Sequence, residues 1–379
     1  MKAIRSTGVW LSELAPLVFM LFWAAIVFAL IYIGYRWIDP LPPRRLSIAA
    51  GAVDSTYDNY ARQYAGILAR NGVQLNVRNS AGGLENLNLL RDPASGVQAA
   101  PTSFGLDEPD DPETLNSLGG IFDAAIFIFY RNAEPITQFA QFRGKRISIG
   151  MPGTALRSLI LQVLKATDAL DASVYLSDLE PADSIDALIA GEIDVAIIPQ
   201  LDRTPLQRVL DTPSIRLMSV AQAEAIAKTV PGLKHVVLWQ GLIDLSRDIP
   251  NSDVHLIASE NRLLVRKDLH PALQYLLLEA MREVHWPAGT FNRLGEFPAE
   301  QPHDLPLSGT AEAFYRSGPT LWQRYTSFWL TSLLNRIAFF VIPVVVALIP
   351  VIGFALTFHR WLHIRSIDRF PRSERKPRN

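Results

Sequence analysis

Val73 to Arg91 reads VQLNVRNSAGGLENLNLLR, and the order of residue types in it decides the fold class. Val73, Leu75 and Val77 alternate with Gln74, Asn76 and Arg78, the two-residue period of a half-buried strand. Ser80, Gly82 and Gly83 break that run and permit positive backbone angles. Leu84, Leu87 and Leu90 then recur at helical spacing, with Glu85, Asn86 and Asn88 between them. A strand, a glycine turn and a helix in this order direct the first N–H groups of the helix beyond the sheet edge, where an anion or polar solute can be held.

A second unit of the same kind lies downstream. Lys145 to Ile149 reads as a short strand, GMPGT (Gly150 to Thr154) as a turn, and Ala155 to Ala166 as a helix with Leu156, Leu159, Ile160, Val163 and Leu164 on its apolar face. Two such units far apart in sequence predict two lobes facing one cleft. Each alone reads equally well as a simple chain reversal.

The stretches between them extend the pattern. Arg45 to Ala50 predicts a first strand. Ser55 to Asp58 fits a capping sequence, and Tyr57, Tyr60, Ala61, Tyr64 and Leu68 mark the helical face that follows, closed by Asn71-Gly72. The DEPDDPET run at 107–114 reads as a solvated loop. Ala124 to Tyr130 (AAIFIFY) is continuously apolar, as in a strand buried on both faces. Asn132 to Pro135 reads as the crossing into a second lobe. There a helix over Ala182 to Ala190 and a strand over Asp194 to Pro199 lead into Gln200 and Asp202, and Ile215 to Val220 adds another strand. Lys234 to Leu238 and His255 to Val265 read as strands returning to the first lobe, with Pro271 to His285 a helix laid over it. Strands alternating with helices give an α/β class with mostly parallel sheets, whose ligands bind beyond the carboxyl ends of the strands.

The two ends differ from this region. Ala15 to Tyr35 and Ile337 to Phe358 carry no charged residue, and each is long enough to cross a hydrocarbon core of about 30 Å as a helix. Pro343 and Pro350 kink such a helix without forbidding it. The bulky IYIGYRWIDPLPP after the first run offers no small-residue cleavage site, so an uncleaved anchor is expected. Arg360, Arg365, Arg369, Arg372, Arg375, Lys376 and Arg378 place the tail in the cytoplasm by the positive-inside rule. The expected layout is a cytoplasmic 1–14, a span at 15–35, a linker at 36–45, an extracytoplasmic 46–330, a span at 337–358 and a cytoplasmic tail at 359–379. Within 46–330, lobe one takes about 46–131 and 234–330, and lobe two about 132–233. This layout predicts a bacterial cytoplasmic membrane protein with its soluble part on the periplasmic side.

The chain has 379 residues, a net charge of −1 and no cysteine. The charge gives no field for nucleic acid, and the missing cysteines exclude disulfides and thiolate metal sites. No G-x-S-x-G elbow, H-E-x-x-H pair or Walker loop is present. The histidines lack ligand spacing apart from His359 and His363 at i, i+4 in the basic tail. The expectation is therefore no enzyme, no cofactor and no metal.

GAVDSTYDNYA, NSAGGLENLNLL, GKRISIGMPGT and ALIAGEIDVAIIP resemble, in that order, the TAXI family of solute-binding proteins of TRAP transporters. LHPALQYLLLEAMREVH and SGPTLWQRYTSFWLTSLLNRIAFFVIPVVVALIP resemble its membrane-anchored branch. The resemblance implies a type II, two-lobed periplasmic-binding-protein-like fold, flanked here by two transmembrane helices. Such a fold closes on a small solute, commonly a carboxylate, and presents it to permease subunits in the membrane. The chain departs from the family in carrying GVQAAPTSFG, with Gln98, and Ala124-Ala125 before the aromatic strand. A membrane-anchored sensor or scaffold built on the same fold is the alternative.

A binding cleft needs donors aimed at the solute. In lobe one the candidates are Ser55, Thr56, Tyr57, the backbone at Gly82 and Gly83, and Asn86. In lobe two they are Gly150, Gly153, Thr154 and Arg157, with Gln200 just past a strand end. Arg157 suits a bidentate carboxylate contact and equally a surface position on the first helical turn. Ser55 suits a helix cap as well as a ligand.

Overall fold

The structure is a computed structural model that describes residues 42–106, 111–199, 206, 209–301 and 305–318 together with a few single helical positions near each end. One compact unit spans Pro42–Leu321, and the other is formed from the two terminal segments.

In the Pro42–Leu321 unit the described strands form one ten-stranded sheet. Its first end is a parallel trio: β1 (Arg45–Ala49), β2 (Gln74–Arg78) and β3 (Ala99–Ser103) in the order β2-β1-β3. Helix α1 (Thr56–Arg70) follows β1, and α2 (Gly83–Arg91) follows β2. The far end is a second parallel trio of β5 (Arg146–Ser148), β6 (Tyr175–Ser177) and β7 (Val195–Pro199). With it go α3 (Ala155–Ala166), α4 (Pro181–Ala190) and α5 (Ala223–Thr229). Two long antiparallel strands join the trios: β4 (Leu115–Tyr130) and β10 (Val254–Arg266). β10 pairs β3 over Asn261–Val265, whereas β4 pairs β7 over Ile126–Tyr130. Each joining strand thus starts in one lobe and ends in the other. Strands β8 (Arg216–Leu217) and β9 (Leu233–Leu238) add to β4 and β10, and α6 (Pro271–His285) and α7 (Gly309–Ser317) complete the unit.

The AAIFIFY run behaves as its composition requires. Ile126, Ile128 and Tyr130 enter one core with Ile147, Leu159, Val163 and Val195. Ala125, Phe127 and Phe129 enter the core on the opposite face with Ile185, Leu188, Ala196 and Ile198. Burial of each large apolar side chain stabilises by roughly 1.5–3 kcal/mol, so no face of this strand is left to water. The first lobe has its own core, with Leu87, Leu90, Ala100, Leu115 and Leu264.

Five expectations are corrected. The sheet is mixed rather than mostly parallel, because β4 and β10 run antiparallel to the neighbours they pair with. The acidic run at 107–114 is not simply a solvated loop: Asp111–Thr114 is a helical turn, and Asp111 is buried and paired to Arg91 at 2.7 Å. The strand expected from Ala124 begins at Leu115; the apolar pattern of its first half is interrupted by Ser117, Gly119 and Gly120, where Tyr315 and Ala299 O lie against Gly119 and Gln301 against Gly120. The strand expected over Ile215 to Val220 shrinks to Arg216–Leu217. β9 does not return to the first lobe: Val236 and Leu238, with Leu256 and Ala258 of β10, pack into the Phe127 core. Phe291 joins them, its ring 6.2 Å from that of Phe127.

Among the described residues no helix is long and apolar enough to cross a membrane. The expected spans at 15–35 and 337–358 lie for the most part outside those residues. The described positions in them are helical, and Phe22, Phe28, Tyr32, Val346 and Ile349 among them have exposed side chains.

Candidate functional site

The two glycine turns meet. A methyl-sized group built on Gly82 would lie 3.5 Å from Thr154 Cα, one on Gly83 3.2 Å from Ala155 Cβ, and one on Gly153 3.2 Å from Ala81 Cβ. The N-termini of α2 and α3, from opposite ends of the sheet, are therefore packed face to face. Gly82 and Gly153 have φ of 138° and 84°, values that side-chain-bearing residues rarely adopt. The bare backbones make the approach possible.

In the first lobe the expected donors are already engaged. Ser55 caps α1, its Oγ accepting from Asp58 N at 3.3 Å. Thr56 opens that helix. Asp58 is fully buried and accepts from Asp54 N, Arg62 Nε and Asn79 Nδ2 at 2.9–3.0 Å. Burial alone would raise its pKa; these donors outweigh burial and hold it below the usual carboxylate range. Asn79 also donates to Gly51 O, tying the β1–α1 turn to the end of β2. Asn86 is fully buried: its Nδ2 donates to Pro101 O at 2.8 Å and its Oδ1 accepts from Ser80 Oγ at 2.5 Å. The N–H of Gly82 donates to Ser80 Oγ and that of Ala81 to Glu85 Oε2. Asn86 thus braces the turn from behind rather than projecting from it.

The second lobe is wired more lightly. Thr154 is the N-cap of α3, accepting from Arg157 N at 3.4 Å and donating to Met151 O at 2.7 Å. Arg157 takes neither of its expected roles in full: its guanidinium donates to Gly150 O at 3.1 Å and pairs with Asp178. A carboxylate solute would have to share or displace Asp178. Gln200 and Asp202 lie outside the described residues.

On the part of β10 that pairs with β3 sits a polar cluster that the sequence did not announce, apart from Tyr57. Asn261 Oδ1 accepts from the Tyr57 hydroxyl at 2.5 Å and from Ser103 Oγ at 2.9 Å, while its Nδ2 donates to Ser259 O at 2.8 Å. Burial pushes the Tyr57 phenol up to about 12, against the hydrogen bond from Ser103 and the positive charge of Arg262. Arg262 is fully buried, its guanidinium 4.5 Å above the Phe104 ring, a stacking that stabilises a desolvated cation. The pairing between β4 and β10 shifts register on both sides of Arg262, and such irregularities re-aim side chains. Asp123, opposite Glu260 in the ladder, is buried and paired to Lys234 Nζ at 2.7 Å. Burial raises the pKa of Asp123 in spite of that partner. The available signal was the polar run Ser259-Glu260-Asn261-Arg262 inside an otherwise apolar strand.

Beside it Phe122, Tyr60 and His285 form an aromatic cluster, with Phe122 stacked on His285 at 6.2 Å. His285 Nε2 and the Tyr64 hydroxyl are 2.5 Å apart. Burial takes the His285 pKa down to about 3, so the ring is neutral near pH 7.

The profile of the NMT1-like family matches residues 48–295, and the chain belongs to that family. No curated protein matches it. Solved structures resemble it at low identity. The alkanesulfonate-binding protein of Xanthomonas axonopodis pv. citri, bound to MOPS, is 16% identical, with a TM-score of 0.41 over 64% of this chain and 74% of that one. The substrate-binding protein of an amino acid ABC transporter is 13% identical, with a TM-score of 0.38 over 63% of this chain and 92% of that one.

Proposed function

We propose that this member of the NMT1-like family is a membrane-tethered, extracytoplasmic solute-binding subunit of a TAXI-type TRAP uptake system. It captures a small, carboxylate-bearing solute between its lobes and presents it to permease subunits. The observation that carries this reading is the contact of Gly82 and Gly83 with Thr154 and Ala155. Two helix N-termini on opposite lobes approach backbone to backbone where β4 and β10 cross, the form expected of a hinged clamp when shut. The positive ends of both helices favour an anionic group there. The Tyr57 and Ser103 hydroxyls, now spent on Asn261, are the donors that can turn to a solute.

The membrane tether rests on the two uncharged end runs, the arginine-rich tail and the exposed apolar helical side chains such as Phe28 and Ile349. Reporter fusions at Asn379 and near Asp110 test it: opposite sides of the membrane are expected, and the same side for both would contradict it. The binding test is calorimetric titration of the full chain in detergent micelles with succinate, glutamate and glycerol. Saturable heat and a raised melting temperature with a carboxylate, and none with glycerol, are expected. Glycerol binding as well as the acids, or none of a broad carboxylate panel binding, would overturn the reading.

A further inference from the structure

Away from the cleft, β9 and β10 carry two histidines on one face of the sheet. In the ladder His235 lies opposite Ile257 and His255 opposite Val237, so the two are diagonal neighbours within reach of each other. Their rings meet, with His235 Nε2 2.9 Å from His255 Nδ1. The other nitrogen of His235, Nδ1, is 3.2 Å from Glu224 Oε2 on α5, and Glu224 is held in turn by Lys228. The proposed uptake function makes no use of this group.

We infer that His235 and His255 form a binding site for a divalent transition-metal ion, with Glu224 as the positioning residue behind His235. The carboxylate fixes the tautomer: it accepts the Nδ1 proton of His235, which leaves Nε2 with its lone pair toward His255. That is the arrangement of a ligating imidazole backed by a carboxylate. His255 frees Nδ1 by carrying its proton on Nε2 instead, an exchange that solvent permits at this exposed ring. At 2.9 Å the two nitrogens are at hydrogen-bonding distance, and an ion bound by both replaces that hydrogen bond. Imidazole donors bind divalent ions in the Irving–Williams order, so Cu²⁺ is favoured over Zn²⁺. Among the described residues no group of three or more His, Asp or Glu side chains forms a metal cage. The ion therefore takes two imidazoles and completes its sphere with water. Bound there, it cross-links β9 to β10 in the second lobe.

The test is titration of the full chain, without an affinity tag and in detergent micelles, with Cu²⁺ alone, followed by electron paramagnetic resonance. His359→Gln and His363→Gln are present throughout, to remove the i, i+4 pair of the tail. One equivalent of Cu²⁺ with coupling to two imidazole nitrogens is expected, and Cu²⁺ should bind more tightly than Zn²⁺. His235→Gln and His255→Gln should each weaken binding at least about tenfold. Glu224→Gln should weaken it by less while keeping the two-nitrogen signature. A two-nitrogen signal that survives both histidine substitutions, a loss in only one of them, or no stoichiometric binding to the folded parent would overturn the assignment. Because the spectrum of the unsubstituted site reports the ligands directly, a variant that folds poorly does not leave the question open.

Discussion

The turns at Ser80–Gly83 and Gly150–Thr154 have the same sequence logic and face each other, yet they are held differently. The first is tied by side chains on every side: Ser80 and Glu85 hold its N–H groups, Asn86 reaches Pro101 O, Thr102 donates to Gly83 O, and Asp58 with Asn79 anchors the neighbouring strand end. The second rests on a threonine cap and on Arg157, which donates to Gly150 O and pairs with Asp178, both side chains partly open to water. A strand–glycine–helix pattern therefore specifies where a turn goes and not how firmly it stays. The first lobe presents a braced platform, and the second lobe brings an adaptable edge to it.

That contrast can be broken by substitution. Asp58→Ala should cost the most, about 3 kcal/mol, since it removes the fully buried carboxylate that accepts from Asp54 N, Asn79 Nδ2 and the solvent-exposed Arg62; denaturant unfolding reads it. A separate effect should appear on acidification. His285 is neutral in the folded chain with a pKa near 3, against about 6.5 when unfolded. The unfolded state binds the extra proton between these values, so stability is complete above about pH 6.5 and falls toward pH 3. The slope approaches about 1.4 kcal/mol per pH unit. His285→Gln, which keeps an acceptor for Tyr64, should flatten this slope, while the fall due to Asp58, confined to pH below about 4, persists.

Smaller effects sharpen the comparison. Asn86→Ala should cost about 2 kcal/mol by leaving Pro101 O without its buried partner. Thr154→Ala should cost about 1 kcal/mol as a lost cap. Arg157→Ala should change stability by less than about 1 kcal/mol, because its partner Asp178 is half exposed. Its effect on carboxylate affinity should be the larger one. Equal stability losses at Asn86 and Arg157 would erase the distinction between platform and edge.

Much of this was legible in the sequence. α3 and α6 run from Ala155 to Ala166 and from Pro271 to His285, as their apolar spacing indicated, and the cap at Ser55 is visible in a short motif. These features depend on neighbours a few residues away. What stayed hidden depends on distant pairing. Tyr57 and Asn261 are 204 residues apart, and Asp123 finds Lys234 across 111. In a linear reading such residues look like polar interruptions of a strand. The bracing of Asn86 was hidden too, since an asparagine on a first helical turn looks the same whether it faces a cleft or props the turn from within.

The central claim is that the two turns form the closing contact of a clamp, and the absence of cysteine from the chain allows one direct measurement. A Gly83→Cys, Ala155→Cys pair places its Cβ atoms at about the observed 3.2 Å, within a few tenths of an ångström of disulfide spacing. Diamide oxidation of the full-length double variant should form an intramolecular bridge. Its rate should rise with the concentration of a bound carboxylate such as succinate or glutamate, and the bridge, once formed, should lock the solute in. A folded variant that forms no bridge, or one whose bridging rate is the same with and without a saturating ligand, would contradict the account.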